Sequence, residues 1–237
     1  LKSIFIIFYV FLAFSMPCFC QDTIPYFSLD QMPNALHYLP APPAAGEMRY
    51  AYDTARYAWG KSVRATPRGE KARLDATYSL ERMSEIFSPV LGVEISPVNT
   101  PRLWQFLINA THTADLACDI TKRHYMRRRP FDVFNEPTPV PADEPVLKKN
   151  GSYPSGHTVL GWTTALLLSE MCPEKQDALL NEGYEYGTSR VITGFHWQSD
   201  VDAGRLVASA AVARLHSSKA FAKQMKRAKK ELRKKMK

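Results

Sequence analysis

The spacing of apolar residues from Glu47 onward most constrains what this chain can fold into. Apolar residues recur there at three- and four-residue intervals, which is the period of an amphipathic helix, and no convincing alternating strand pattern interrupts them. The predicted helices are Glu47 to Trp59, one opened by Pro67, a short one ending at Ser88-Pro89, one from Pro101 toward Arg129, one from Ser155 to before Pro173, Glu174 to about Ser189, and Trp197 to His216. The sequence therefore predicts an all-α fold. Its 237 residues fit one domain, with two domains as the alternative.

The first twenty residues differ from the rest of the chain. Lys2 precedes an almost unbroken apolar run from Ile4 to Phe14, and Pro17 then comes before small residues. This order is typical of a secretory signal peptide, so we expect residues 1–20 to be cleaved and the protein to be periplasmic or secreted. An uncleaved anchor helix is the alternative. Because no later apolar run is long enough to span a bilayer, we expect the mature protein not to cross a membrane.

Proline content separates two further segments from the helices. Residues 21–46 contain five prolines and no helical period, which predicts an extended N-terminal arm lying over a helical domain of residues 47–217. Residues 131–150 contain four prolines and are predicted to form a loop. Beyond the signal peptide the only cysteines are Cys118 and Cys172, and both a disulfide and two buried free thiols fit the sequence.

The formal net charge of +8 is concentrated in one part of the sequence. Residues 217–237 contain ten Lys and Arg residues and one Glu, so the remainder is close to neutral. We interpret residues 218–237 as a basic C-terminal tail, a frayed or solvated helix. Such a tail can act as a non-specific electrostatic arm toward anionic lipid or a polyanion. It gives no reason to expect specific nucleic-acid binding or a part in catalysis.

Two cations on the long predicted helix are the first candidate site residues. Lys122 and Arg129 are seven positions apart, almost two helical turns, which would place both side chains on one face before Pro130 ends the helix. That face could bind an anion. The neighbouring arginines are interpreted as an ordinary solvated basic face: Arg123, Arg127 and Arg128.

The stretch from Gly151 to Thr158 has turn residues at its start and leads into an apolar run. Ser155 is the expected N-cap of a helix whose first turn holds Gly156 and His157. The free N–H groups and the positive dipole end of that helix favour an anion, and glycine lets the backbone approach it closely. His157 could exchange a proton there near neutral pH. A capped helix with an ordinary surface histidine is the alternative.

The remaining candidates are Arg190, which follows Ser189 near the end of a predicted helix, and the pair His196 and Asp200. Four-residue spacing puts His196 and Asp200 on one helix face. A carboxylate there can accept the Nδ1–H of the imidazole and leave the Nε2 lone pair exposed. Taken alone, the pair could instead be a helix-surface contact.

Together these residues predict a pocket for a phosphate-like dianion. It would hold three cations, a helix N-terminus, one histidine to attack and another to protonate the leaving group. Phosphoryl transfer needs little more, because charge neutralisation and positioning supply most of the rate. Two histidines and an aspartate could also hold a metal ion. Three nearby cations without an offsetting carboxylate cluster disfavour that alternative, so we expect no metal and no cofactor.

The order and spacing of these motifs resemble a known signature. Its three parts are Lys122-x6-Arg129-Pro130, Pro154-Ser155-Gly156-His157 and Ser189-Arg190-x5-His196-x3-Asp200. They resemble the signature of the type 2 phosphatidic acid phosphatase (PAP2) superfamily, which also includes the vanadium haloperoxidases. The octet from Gly151 to Thr158 is similar, more narrowly, to that of the bacterial class A non-specific acid phosphatases. The motifs span residues 122–200, and every fixed position is filled.

The resemblance implies an all-α helical bundle, usually a homodimer, that is periplasmic or secreted. It implies a metal-independent acid phosphatase for a broad range of phosphomonoesters, with phosphotransfer to other alcohols as a side activity. Vanadate should inhibit such an enzyme, because it can mimic the five-coordinate transition state.

The resemblance also implies a role for each candidate residue. His196 would be the nucleophile that forms a phosphohistidine, Asp200 would orient it, and His157 would protonate the leaving alcohol and later activate water. The phosphate oxygens would be bound by Lys122, Arg129, Ser155, Arg190 and the backbone N–H of Gly156. Because His157 must carry a proton while His196 lacks one, we expect an acidic pH optimum.

Two other functions fit parts of the sequence. A vanadate-dependent haloperoxidase would use the same scaffold, but those proteins are generally larger, and the octet favours the phosphatases. A non-catalytic polyanion-binding protein would use the basic tail, but it leaves His157, His196 and Asp200 without a role.

Overall fold

Prolines and capping residues determine where the helices of this protein begin. In the computed structural model, which describes residues 23–237, Pro67 and Pro101 occupy the first turn of their helices, and Ser79 and Ser155 each accept a backbone N–H as N-caps. The helices are α1 (Met48–Ser62), α2 (Pro67–Leu74), α3 (Leu80–Leu91), α4 (Pro101–Tyr125), α5 (Pro130–Val133), α6 (Glu144–Leu147), α7 (Gly156–Met171), α8 (Gln176–Ile192), α9 (Gln198–Leu215) and α10 (Lys219–Lys235). No strand occurs among residues 23–237, so the predicted all-α fold is confirmed.

Helix α7 is the centre of the bundle and packs against α4, α8 and α9. Its apolar residues surround the helix axis, as expected for a helix covered on every side. Small residues allow its neighbours to come close. A Cβ on Gly183 of α8 would lie 2.5 Å from the Cβ of Ala165, and one on Gly204 of α9 would lie 2.7 Å from the Ser155 carbonyl oxygen. Because glycine at 204 has no Cβ, α9 can pack directly against the N-terminus of α7.

The basic segment is not the frayed or solvated helix expected from its charge. Helix α10 packs along α4, and it buries an apolar stripe that belongs to the main core. The stripe consists of Phe221, Met225, Ala228 and Leu232. The acidic residue of α10, Glu231, accepts hydrogen bonds from the backbone N–H groups of Arg102 and Leu103 at 2.9 and 3.0 Å. It therefore caps the start of α4. The apolar residues recur at helical spacing, and ten cations in the same segment obscured that pattern in the sequence.

The described part of the arm, residues 23–46, lies against α4 and α10. The backbone N–H groups of Ile24 and Tyr26 donate to Asn109 Oδ1 and Thr113 Oγ1 of α4, and the Tyr26 ring meets Phe221 edge-on at 5.4 Å. The predicted signal peptide of residues 1–20 lies outside the described residues. In residues 23–237 every helix is too short or too polar to cross a bilayer.

Two further expectations can be compared with the structure. Residues 131–150 contain most of α5, all of α6 and a 3-10 turn at Pro141–Asp143, so the predicted loop is partly wrong: Pro141 and Pro145 lie in the first turns of short helices, where their missing N–H is tolerated. Cys118 and Cys172 are buried and free, which decides between the two alternatives in favour of free thiols.

Candidate active site

Four helix ends meet at one end of the bundle and carry most of the predicted site residues. They are the last turn of α4 with Lys122, the N-terminus of α7 with Ser155, Gly156 and His157, the last turn of α8 with Arg190, and the first turn of α9 with Asp200. Arg129 and His196 lie in the connections just before α5 and α9. Chain segments far apart in sequence thus converge on one small volume.

His196 is more deeply buried than His157, with 2% of its surface exposed. Its Nε2 lies 3.0 Å from Arg129 Nη1. A guanidinium can only donate, so Nε2 carries the lone pair and the ring proton is on Nδ1. Asp200 Oδ2 lies 3.4 Å from Nδ1, longer than an ordinary N–H···O hydrogen bond. Burial, followed by the charges of Arg129 and Lys122, holds the pKa of His196 well below its usual range, so the ring is neutral.

Asp200 is fully buried and held by two further donors. Its Oδ2 accepts the Trp197 backbone N–H at 2.8 Å, and its Oδ1 accepts from Arg127 Nη1 at 2.6 Å. Arg127 Nη2 in turn donates to Asp53 Oδ2 of α1 at 2.8 Å. Asp53 also accepts the backbone N–H and the hydroxyl of Ser199, at 2.8 and 2.6 Å. Asp200 is therefore held in position by groups other than His196.

Arg127 and Asp53 are residues that the sequence analysis missed. The interpretation of Arg127 as part of a solvated basic face is wrong, because its side chain is only 9% exposed and bridges two buried carboxylates. Neither partner is near it in sequence: Asp53 and Asp200 are 74 and 73 positions away. We find no local pattern in the sequence that could have indicated this bridge.

Lys122 and Arg129 do not share a helix face. Helix α4 ends at Tyr125, Met126 adopts the left-handed conformation with φ of 41°, and Arg129 has extended backbone before Pro130. Proline disfavours helical backbone in the residue before it, and the helix ends four residues ahead of Arg129 rather than at it. The two cations nevertheless reach adjacent carbonyl groups, since Lys122 Nζ donates to Gly151 at 3.1 Å and Arg129 Nε donates to Asn150 at 3.3 Å. Burial, followed by the charge of Arg129, lowers the pKa of Lys122.

Two of the three cations, Arg129 and Arg190, are buried with few partners, and Lys122 is partly exposed. Arg129 donates from Nε to the Leu147 carbonyl and from Nη1 to the Phe195 carbonyl, both at 2.9 Å. Burial and the charge of Arg190 lower the pKa of Arg129 to about 9. Arg190 is fully buried, its pKa is lowered to about 10 by burial, and its Nε has no hydrogen-bond partner within residues 23–237. Burying like charges this way is unfavourable, and a bound anion would relieve it.

The N-terminus of α7 completes the positive surroundings. Ser155 Oγ accepts from the backbone N–H and the hydroxyl of Thr158, at 3.3 and 3.0 Å, which confirms its prediction as the N-cap. A Cβ on Gly156 would lie 2.8 Å from Asp115 Oδ1 and 3.8 Å from Lys122 Cε. Glycine therefore leaves room for the Asp115 carboxylate at the first turn, while the lysine stem stays at ordinary contact distance.

His157 is half-buried between two tyrosine rings, 4.8 Å from the Tyr78 centroid and 6.2 Å from that of Tyr186. Its Nε2 lies 2.9 Å from the Ala76 carbonyl oxygen. A carbonyl only accepts, so Nε2 carries a proton and Nδ1 is the nitrogen left to exchange one. Burial and the charge of Arg190 lower the pKa of His157 well below its usual range, and the charge of Arg129 adds to this.

A cleft of about 500 Å³ opens beside these groups. Its lining includes His157 and Arg190 together with two segments that the sequence analysis did not connect with the site. One is residues 73–78, between α2 and α3, and the other lies in residues 140–147, within the segment predicted to be a loop. The cleft reaches Arg190, one of the predicted phosphate-binding residues, and has the size of a small-molecule site.

Comparison with known proteins gives consistent similarities. The PAP2 superfamily matches residues 103–223. The chain is 42% identical over 233 residues to a non-specific acid phosphatase of Salmonella typhimurium, covering 98% of this chain and 93% of that protein. It is 46% identical over 207 residues to a non-specific acid phosphatase of Providencia stuartii, with 87% and 84% covered. An acid phosphatase of Zymomonas mobilis is 34% identical over 201 residues, with 85% and 76% covered.

Proposed function

The chain belongs to the PAP2 superfamily and is an acid phosphatase that hydrolyses phosphomonoesters, and from this premise we propose that it acts through a phosphohistidine intermediate on His196. The single observation that supports this best is the state of the His196 ring. It is neutral, its Nε2 lone pair is directed at a guanidinium, and its Nδ1 faces a buried carboxylate. A nucleophilic histidine needs this arrangement.

In the proposed first step Nε2 attacks phosphorus and forms an N–P bond while the bond from phosphorus to the leaving oxygen breaks. Positive charge develops on the imidazole, so the 3.4 Å contact between its Nδ1–H and Asp200 Oδ2 would shorten and strengthen. The phosphate oxygens would replace the Nε2 nitrogen as the acceptor of Arg129 and would also be bound by Lys122 and Arg190. The Ser155 hydroxyl and the backbone N–H of Gly156 would donate to the same oxygens.

His157 is proposed as the general acid. Its Nδ1–H would give its proton to the leaving oxygen, and the neutral ring would then take a proton from the water that cleaves the N–P bond and releases inorganic phosphate. The lowered pKa values of both histidines support an acidic optimum, because the free enzyme holds a proton on His157 only in acid. A rate profile for kcat/KM with its maximum above about pH 8 would contradict this role.

We propose that no metal ion takes part. The support is electrostatic: Lys122, Arg129 and Arg190 already surround the place that a divalent cation would occupy, and Asp200 is committed to Arg127. Within residues 23–237 no three His, Cys, Asp or Glu side chains are grouped as ligands for a metal. Activity should therefore be insensitive to chelators. Transfer of the phosphoryl group to an alcohol in place of water would follow the same second step.

Export and assembly are further parts of the proposal. The sequence of residues 1–20 supports a cleaved signal peptide and a periplasmic or secreted protein, which N-terminal sequencing of the protein recovered outside the cytoplasm would test. A homodimer is what the resemblance implies, and light scattering on the purified protein would test it.

The intermediate can be tested directly by trapping. The wild-type enzyme, denatured in alkali during turnover of a phosphomonoester labelled on phosphorus, should carry label on His196. His196→Ala should remove both the label and the turnover, by about 10⁴-fold or more in kcat. His124→Ala is the matched control, since His124 is exposed on the last turn of α4, and it should retain both. Label and turnover in the His196→Ala variant would overturn the mechanism.

A further inference from the structure

Helix α10 presents a dense array of positive charge on the face that it does not bury. A shallow groove along this face is lined only by cations, namely Lys226, Lys229, Lys230, Arg233, Lys234 and Lys237. They recur at three- and four-residue spacing and form one stripe over roughly 16 Å of helix. We call these six residues the basic stripe. The exposed residues of α10 include no aromatic or large apolar side chain.

Within the described part of the chain, most of these cations have no acidic side chain paired with them. The acidic residue of α10, Glu231, is directed at the N-terminus of α4. Lys229 donates to the Glu170 carbonyl at 2.8 Å. Within residues 23–237, Lys226, Lys230 and Lys234 form no ion pair with an acidic side chain. A surface kept this positive favours an anionic partner.

The basic stripe lies at the opposite end of the bundle from the catalytic cleft. Lys229 contacts Glu170 at the C-terminal end of α7, whereas His157 is in the first turn of the same helix. Glu231 contacts Arg102 at the start of α4, whereas Lys122 is in its last turn. Twenty residues of helix separate Arg102 from Lys122, a distance of about 30 Å. A partner on the basic stripe would therefore leave the cleft open.

We propose that the basic stripe docks this enzyme on an anionic lipid surface with the cleft facing away from it. The ten cations of residues 219–237 are eight lysines and two arginines. Lysine acts as a hydrated point charge suited to a diffuse plane of negative charge, whereas arginine predominates where individual phosphates are recognised by two-pronged contacts. The lack of exposed aromatic residues on α10 disfavours single-stranded nucleic acid, which is bound by stacking.

The mode of docking follows from the buried side of α10. Amphipathic membrane helices insert their apolar face into the bilayer, but the apolar stripe of α10 is already packed in the core of the bundle. Attraction to lipid is therefore electrostatic alone. It is expected to be reversible and to disappear at high salt, where the screening length falls from about 10 Å to about 3 Å.

Sedimentation with vesicles tests this proposal. The full chain should bind phosphatidylcholine vesicles that contain a minority of phosphatidylglycerol at ionic strength of about 0.1 M, and should be released at about 1 M. It should not bind vesicles of phosphatidylcholine alone. Absence of binding to the anionic vesicles, or binding that persists at high salt, would overturn the proposal. So would retention of a DNA duplex or of polyphosphate by a protein that ignores the vesicles.

Matched variants locate the contact. Neutralising three members of the stripe, Lys226→Gln with Lys230→Gln and Lys234→Gln, should lower the vesicle partition coefficient by about a hundredfold. A control with the same charge change replaces three exposed cations remote from the stripe, Arg49→Gln with Arg123→Gln and Lys149→Gln, and should lower it by less than about threefold. Phosphatase activity on a soluble phosphomonoester verifies that the stripe variant is folded. Equal losses in the two triple variants would show that net charge acts and the stripe does not.

Discussion

This protein has two concentrations of positive charge, and they are built in opposite ways. At one end of the bundle Lys122, Arg129 and Arg190 lie close together, with both arginines buried and Lys122 partly so, and their pKa values are lowered by burial. At the other end the basic stripe of α10 spreads its cations over an exposed helix face. The buried cluster opposes folding and is tolerated for what it can bind. The exposed cluster has little influence on folding, because water and salt screen it.

The two clusters should also act independently of each other. The spacing of about 30 Å along α4 is several times the screening length at physiological ionic strength, roughly 8 Å. Changing one cluster should therefore leave the function of the other unaltered. The predictions below test this separation and the different physics of the two ends.

The largest effect is expected from Arg190. Arg190→Ala removes a buried guanidinium proposed to bind phosphate oxygens and should lower kcat/KM by about 10³-fold, as loss of one preorganised donor to a developing charge does. Lys230→Ala, on the basic stripe, should leave kcat/KM unchanged. Steady-state kinetics with a soluble phosphomonoester measure both. A loss of similar size in Lys230→Ala would mean that the two ends are not separate.

Arg127 comes next, because two carboxylates depend on it. Arg127→Met leaves Asp53 and Asp200 buried without their shared cation and should lower the free energy of unfolding by about 3–5 kcal/mol. Urea denaturation measures this. Arg128→Met is the matched control: Arg128 is 65% exposed in a pair with Asp132, and its replacement should have no measurable effect on unfolding.

The substitution Arg127→Lys tests whether Arg127 positions Asp200 in addition to stabilising the fold. Arg127→Lys keeps a positive charge but cannot bridge both carboxylates with its single ammonium group. We expect kcat to fall about tenfold with KM unchanged, because Asp200 would be less firmly held beside His196 while the phosphate-binding cations remain. An increase in KM with normal kcat would assign Arg127 to substrate binding instead.

Arg127 also shows how far the sequence could lead. Local rules sufficed for the helices, for Ser155 as a cap and for the bundle as an all-α fold, because caps, prolines and helical period act within a few residues. Lys122 and Arg129 were expected on one helix face, but α4 ends at Tyr125, Met126 is left-handed and Arg129 lies in the following connection. The bridge from Asp53 to Arg127 and Asp200 depends on tertiary packing and has no local signal.

Helix α10 shows the complementary error. Composition identified residues 218–237 as basic, and the count of charges concealed four apolar residues at helical spacing. A helix can be strongly charged on one face and part of the core on the other. The cleft walls were missed for a similar reason, since residues 140–147 were predicted to be part of a proline-rich loop and they line one cleft with His157 and Arg190 only in the fold.

The two faces of α10 give the fourth prediction. Leu232 is fully buried in the main core, so Leu232→Ala should lower the free energy of unfolding by about 3 kcal/mol. Lys234→Ala, two positions along on the opposite side, should change it by less than about 0.5 kcal/mol. Urea denaturation of both variants compares the faces directly. A small effect of Leu232→Ala would mean that α10 is not an integral part of the core.

The smallest effect is a dependence of stability on pH that only the buried end should produce. The pKa values of His157 and His196 are lowered in the folded protein, so below about pH 6.5 the unfolded chain binds protons that the folded chain excludes. The free energy of unfolding is therefore undiminished by these histidines above about pH 6.5. It decreases as the pH falls from about 6.5 toward their lowered pKa values. Each histidine adds at most about 1.4 kcal/mol per pH unit.

Urea denaturation between about pH 7 and about pH 5 measures that slope. His157→Gln should reduce it, because one of the two buried imidazoles no longer titrates, whereas the triple neutralisation of the basic stripe should leave it unchanged. The same burial that destabilises the protonated ring confines a protonated His157 to acid, so the slope and the fall of kcat/KM on the alkaline side of its maximum have one cause. If His157→Gln kept the full slope, His157 would not be a source of the pH dependence of the unfolding free energy. The buried cations and the basic stripe would then differ only in how exposed they are.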